Sequence, residues 1–341
     1  MKTPWIKYFP ILAALMLFMS CGNNRNTTNA GKTDPVLTST PKLKAITEQI
    51  AKTPKDASLY YERGTMLQHM RLDTFALKDY KMASSLDTNN AEYYSTVGDL
   101  LFDNKDLTGS VEWIKKAIAK DPKDRKSHLK IANVFLYIRE YPKAIEEIDK
   151  VLRQDVYNPE AYFLKGMVYK ESKDTARAIS AFETSVQVAP DYRKSVIQLG
   201  LLYSAKKDPI ALKYLDNAYR LDSSDVFPLY AQGVYYQNTG DEVMAKAQYR
   251  RCILKDDHYF DAYFNMGYLL LQDDSLEKAY RQYDIVTKVD PANSTAYYDR
   301  GVCSEHMNKL KDAVNDYRQA ALLDTGYKSP KAALARLHVK L

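Results

Sequence analysis

The 341-residue sequence predicts an all-α solenoid of tandem helix–turn–helix repeats, and three observations carry that reading. Small residues recur on a fixed beat, at Gly64, Gly98, Ala132, Gly166, Gly200, Gly233, Gly267 and Gly301, with intervals of 34, 34, 34, 34, 33, 34 and 34 residues. Each beat holds two amphipathic helical patterns. In residues 260–293 the first sets Tyr263, Met266, Gly267 and Leu270 on one face, and the second does the same with Ala279, Tyr283 and Val286 before Asp290-Pro291 stops it. No stretch alternates as a strand would. A hairpin of two such helices cannot bury its apolar faces alone, so neighbouring copies must stack.

Taken in order, the chain opens with a targeting segment at residues 1–21: Lys2 and Lys7, then an apolar run from Tyr8 to Met19 that is short of the ~20 residues a spanning helix needs. Its end, Phe18-Met19-Ser20-Cys21-Gly22, resembles a bacterial lipoprotein signal, which implies lipidation at Cys21. Phe18 and Met19 depart from the usual Leu and small residue, in the manner of the looser boxes of Bacteroidetes. Residues 22–41 are rich in Asn, Thr, Gly and Pro and read as a flexible tether reaching on the order of 25 Å. Acidic residues after the cysteine often mark surface export in such bacteria. None stands in Gly22-Asn23-Asn24-Arg25, so the expectation is an outer-membrane anchor facing the periplasm.

Residues 42–54 read as an orphan second helix with Ile46, Ile50 and Pro54 at repeat offsets; eight repeats follow over 57–327. Four residues before each small anchor stand Tyr60, Tyr94, His128, Tyr162, Val196, Leu229, Tyr263 and Tyr297. Three after it stand Leu67, Leu101, Phe135, Tyr169, Tyr203, Tyr236, Leu270 and Ser304. The second helix has a small position (Ala76, Ser110, Ala144, Ala178, Ala211, Ala245, Ala279, Ala313) and a large one (Tyr80, Ile114, Ile148, Phe182, Leu215, Tyr249, Tyr283, Tyr317). Asp56, Asn90, Asp124, Asn158, Asp225 and Asn293 sit where N-caps are wanted. The anchor glycines are expected to let the first-helix backbone approach the small residue of the second, as Gly267 approaches Ala279. Repeat 5 lacks one residue between Gly200 and Ala211, expected in the Lys207-Asp208-Pro209 turn, and Ser304 predicts a softer repeat 8. Residues 329–340 read as a capping first helix with Leu334-Ala335 at the anchor.

This pattern of aromatic, Leu-Gly and Tyr in one helix and Ala, aromatic, Ala and Pro in the next resembles the tetratricopeptide repeat family. The resemblance covers 57–327 and implies a right-handed superhelical solenoid whose first helices line a concave groove.

Composition excludes several functions. With residues 1–21 removed, 47 basic residues face 43 acidic ones, which is no nucleic-acid footprint. Cys252 and Cys303 lie two repeats apart and read as buried small hydrophobes. No histidine pair has metal-ligand spacing, and neither a phosphate loop nor a nucleophile elbow occurs. Neither an enzyme nor a cofactor or metal is expected.

The resemblance assigns groove positions. Three residues before the anchors it gives Tyr61, Ser95, Leu129, Phe163, Ile197, Tyr230, Phe264 and Tyr298, whose rings could contact a partner or pack against adjacent helices. Asn265 and Tyr268 lie beside Phe264. Charge along the groove reads acid–base–acid: Glu62, Glu92, Asp99 and Asp103; then Lys126, Lys130, Lys170 and Lys194 against Glu160 and Glu171; then Asp261, Asp299 and Glu305. The Lys of a carboxylate clamp is absent from its position. The function these features imply is a lipid-anchored periplasmic scaffold binding a protein or peptide for cell-envelope machinery: outer-membrane assembly, secretion or cell-wall enzymes. A glycan or peptidoglycan module using Tyr61, Tyr230 and Tyr298 is the alternative.

Overall fold

The computed structural model describes residues 34–339, which form eighteen α-helices, one 3₁₀ turn and no strand. The targeting segment, Cys21 and the first part of the expected tether lie outside the described residues. First helices are α2 (Ala57–His69), α4 (Ala91–Asp103), α6 (Arg125–Tyr137), α8 (Pro159–Glu171), α10 (Arg193–Ala205), α12 (Phe227–Thr239), α14 (Phe260–Gln272) and α16 (Ser294–His306). Second helices are α3 (Asp73–Leu86), α5 (Leu107–Lys120), α7 (Tyr141–Gln154), α9 (Thr175–Val188), α11 (Ile210–Leu221), α13 (Glu242–Lys255), α15 (Leu276–Val289) and α17 (Leu310–Leu323). The flanking helices are α1 (Pro41–Lys52) and α18 (Lys328–Arg336). Each helix packs mainly on its two sequence neighbours, as in a linear stack.

The anchor glycines chiefly accommodate a large side chain; only at Gly64 and Gly98 does the backbone of the small second-helix residue also come close, Ala76 O at 3.4 Å and Ser110 O at 3.2 Å from the Cβ position. A Cβ on Gly267 would meet the Tyr283 ring at 3.0 and 3.1 Å, and Ala279 is not among its nearest neighbours. At Gly233 the Tyr249 ring would lie at 2.4 Å. The glycine makes room for the large residue of the second helix, and that residue is fully buried at Tyr249, Tyr283 and Tyr317. The small second-helix residues are buried too, but they do not set the separation at Gly267.

Each hairpin turn closes in the same way. The residue seven after the anchor is left-handed (Arg71, Lys105, Arg139, Lys173, Lys207, Gly240, Asp274, Asn308), and the following N–H bonds back to the carbonyl three after the anchor, as Asp106 does to Leu101 at 2.9 Å. Only the sixth turn uses glycine. The others accept a conformation costing roughly 1–2 kcal/mol, and five of them place a basic side chain beside the carbonyl end of a helix. All but one of the loops after a second helix also share a device: Asp87, Asp121, Asp155, Asp222, Asp256, Asp290 and Asp324 each accept the N–H two residues on, while the loop between repeats 4 and 5 has Ala189 in that place.

Departures from the lattice have local causes. The missing residue of repeat 5 falls after Asp208: α11 is two residues shorter than its counterparts and opens with Ala211 N–H to Asp208 and Leu212 N–H to Pro209, three-residue bonds that tighten its first turn. N-caps stand at Asp56, Asn90, Asp124, Asn158 and Asn293, whereas α12 is capped by Val226, with Asp225 accepting the Phe227 N–H from one residue farther out. Residues 34–41 depart from the tether expectation. Asp34 caps a 3₁₀ turn over Pro35–Thr38, and Val36 and Leu37 pack on the first core cluster, an apolar pair hidden by the polar average of the segment. At the other end α18 stops at Arg336, Ala335 is exposed, and the turn closes early through Val339 N–H to Leu334. Among the described residues no second helix follows to receive Ala335.

The two outermost repeats share a device the inner ones lack. Arg63 holds Asp79 through two bonds of 2.7 and 2.8 Å, and Arg300 holds Asp316 at 3.0 and 2.6 Å and also reaches Asp284. Both guanidinium groups lie over a tyrosine of the same helix, Tyr60 and Tyr297. Ser304 is fully buried with its hydroxyl unpaired among the described residues, and the Arg300 fork adds a polar tie to the same hairpin. Buried Cys252 and Cys303 are free thiols, both pushed up to about 12 chiefly by burial.

Two substitutions test this packing. Gly233→Ala should cost roughly 1–3 kcal/mol, because its Cβ strikes a confined ring, while Gly267→Ala, with looser space and the helix preference for Ala, should stay within about 1 kcal/mol. Urea titration of both variants checks the order. Ser110 is the one non-alanine at its position and its hydroxyl is buried unpaired, so Ser110→Ala should raise stability by roughly 1 kcal/mol, read as a higher urea midpoint.

Candidate functional site

First helices touch the first helix of the next repeat (α4 with α6, α6 with α8, α10 with α12), and no two second helices do so to the same extent. The stack is therefore tighter on the first-helix side, which becomes its inner surface. The side chains assigned to the groove lie here.

The rings at the position three before the anchor are joints between repeats. Tyr61 lies 5.4 Å from Tyr80 of its own hairpin and 5.0 Å from Tyr93 of the next. Phe163 stands likewise between Phe182 and Tyr192, Tyr230 between Tyr249 and Tyr259, and Tyr298 between Tyr317 and Tyr327. Phe264 packs edge-on to Tyr283. All five are half-buried, so each packs between helices while keeping part of its surface toward the groove. Tyr268 is more open, with its hydroxyl accepting from Gln272 at 2.8 Å.

The charged stripe is partly spent on internal pairing. Lys130 bridges the first acid–base boundary, 2.6 Å from Asp99 and 3.2 Å from Ser95. Burial raises the Asp99 pKa, and Lys130 opposes that shift. Lys170 donates to Gln198 at 2.8 Å, and Lys194 lies over the Phe163 ring. Glu305 takes Tyr317 and Arg336. Exposed Lys126 remains, lining an open cleft of about 860 Å³ between repeats 2 and 3 with Glu92, Ser95 and Lys130. Farther along, Asp261 is exposed and Asp299 is half-buried, its pKa pushed up to about 6 by burial.

These contacts follow a rule that sequence spacing does not reveal. The residue two before the anchor reaches back to the preceding repeat wherever it is polar in repeats 2–7. Thr96 meets the Tyr61 hydroxyl at 3.4 Å; Lys130 meets Asp99; Gln198 meets Lys170; and Asn265 donates to the hydroxyls of Tyr230 (3.2 Å) and Tyr249 (3.3 Å). The inner surface is thus laced across repeats by polar bonds.

Two other groups draw notice. His128 is buried between Glu147, at 2.6 Å, and the Pro122 carbonyl, in keeping with a core role. Asp256, Asp257 and His258 bring potential ligand atoms within 4.8 Å of one another in the loop before α14, but His258 is bound by both neighbours in an ordinary exposed loop.

A family profile for the tetratricopeptide repeat matches residues 129–193 and 264–333. A solved tetratricopeptide repeat protein from Parabacteroides merdae superposes with a TM-score of 0.52 at 16% identity, covering 72% of this chain and 98% of that one. A chain of the APC/C hetero-tetramer Cut9–Hcn1 gives 0.51 at 14% identity, over 86% of this chain and 58% of that one. Human DnaJ homolog subfamily C member 7 is 23% identical over 328 residues, or 87% of this chain; the match spans 66% of that protein, just under two thirds. With the 34-residue lattice, the ring-filled glycine notches and the uniform hairpin turns, the profile match supports a tetratricopeptide repeat protein, and the two solved structures share its fold.

Proposed function

We propose that this protein is a lipid-anchored, non-catalytic adaptor of the bacterial periplasm that binds a segment of another protein along its inner first-helix surface. The repeat is a protein-interaction scaffold in general, and the observation that carries the reading here is the inner surface itself. It offers half-buried rings together with charged groups such as Lys126, Asp261 and Asp299 that no neighbour among the described residues neutralises. A partner supplying the missing charges and covering the rings would be held at fixed register. The mutual packing of Tyr61, Tyr230 and Tyr298 weighs against their use as free stacking platforms for a glycan. Lipidation at Cys21 would hold the solenoid near a membrane while leaving that surface free, serving envelope assembly, secretion or cell-wall enzymes.

Two experiments bear on this. A photo-crosslinking residue at Lys126 or Asp261 should capture discrete protein partners in cells, while one on the outer side, at Leu254 or Leu322, should not; equal capture from both sides would refute the assignment. Cys21→Ser should move the protein from the membrane fraction to the soluble one, and unchanged membrane retention would refute the lipid anchor.

A further inference from the structure

The junction between repeats 7 and 8 breaks the polar lacing described above. Asp299 occupies the position two before its anchor, where Thr96, Lys130, Gln198 and Asn265 each find a partner in the preceding repeat. Asp299 has no hydrogen bond or ion pair among the described residues. The cause is in the preceding repeat. Tyr61 and Tyr230 offer a hydroxyl where repeat 7 has Phe264; Asp99 is replaced by Tyr268, and Lys170 by Leu271. The same substitutions strand a second group. Tyr80, Tyr249 and Tyr317 donate to a Gln or Glu four after the anchor, but Leu271 offers nothing to Tyr283, whose hydroxyl is buried and unpartnered among the described residues.

Two unmet polar groups therefore stand together, an acceptor-only carboxylate and a phenol. Asp299 holds the register from which Asn265 reaches the Tyr230 and Tyr249 hydroxyls, which places it toward Phe264 and Tyr283, and its charge raises Tyr283, Tyr298, Tyr327 and Cys303. Among the described residues no cation pairs with it: Arg336 is engaged by Glu305 and Arg300 by Asp284 and Asp316. Phe264 and the exposed ring of Tyr268 complete an aromatic flank. A carboxylate among rings with no internal partner suits one class of occupant.

We infer that the repeat 7–8 junction is a recognition site for a basic side chain, lysine or arginine, of the bound protein segment, with half-buried Asp299 as its counter-charge. This rests on the inner-surface reading proposed above and specifies it. An unpaired, desolvated charge destabilises the free protein and is retained at such a cost where a ligand completes it.

The test uses the full-length chain and Asp299→Asn with a library of synthetic peptides randomised at every position. Wild type should enrich peptides with Lys or Arg at one position, and the variant should bind those peptides roughly 10- to 100-fold more weakly while retaining its other preferences. Captured peptides without a basic preference, or a preference unchanged by Asp299→Asn, would overturn the site and leave the inner surface standing; no captured peptides would count against both. Thermal melts give a second readout. The Asp299 pKa is raised in the fold, so its charged form opposes folding at neutral pH and the penalty fades as pH falls through about 6. Asp299→Asn should therefore melt higher than wild type at neutral pH, with the gap closing in acid. A variant that melts lower at neutral pH would mean that Asp299 is structural and would overturn the proposal.

Discussion

Seven notches in the first helices, each left by a glycine, receive one large side chain from the second helix, and the separation of every hairpin depends on that contact. Where the notch holds Gly233 or Gly98, the incoming group lies where a Cβ would be, at 2.4 Å. Repeat 3 uses Ala132 and receives Ile148 there. Once the hairpin distance is set, the left-handed turn, and in every loop but the one at Ala189 an aspartate cap, fix the path into and out of the unit. Stacking then follows from burial alone.

That regularity gives the irregular places their meaning. Among the described residues only repeats 1 and 8 close their hairpins with an Arg–Asp fork between the two helices. A terminal unit has a neighbour's full face on one side only, and a bidentate pair supplies a directional tie that apolar burial cannot. The shortened first turn of α11 works on the same principle: three-residue bonds absorb a lost residue before the register reaches Ala211.

The inner surface is more than a list of exposed residues. Its charges divide into those satisfied across a repeat boundary, such as Lys130 with Asp99, and those that are not, such as Asp299. The satisfied ones stiffen the stack. The unsatisfied ones are where a partner can gain most, because an interaction made only in the complex has no internal competitor.

The architecture was legible in the sequence because it depends on periodicity, and a 34-residue beat survives any uncertainty about individual contacts. The anchor glycines, the small and large second-helix positions, the site of the deletion and the burial of Cys252, Cys303 and His128 all follow from register. What a side chain meets across a helix pair does not follow from register. Gly267 was read as facing Ala279, but the ring of Tyr283 swings into the notch because its length and χ angles, not its place in the sequence, decide where its far end lies. The seam role of Tyr61 and Tyr230, and the stranded pair of Tyr283 and Asp299, likewise required three dimensions. Each depends on which residues of neighbouring helices are brought together, as Asn265 is with Tyr230, 35 residues away. Sequence alone determined the repeat and its count of eight; only the packed stack decided which of its polar groups are left wanting a partner.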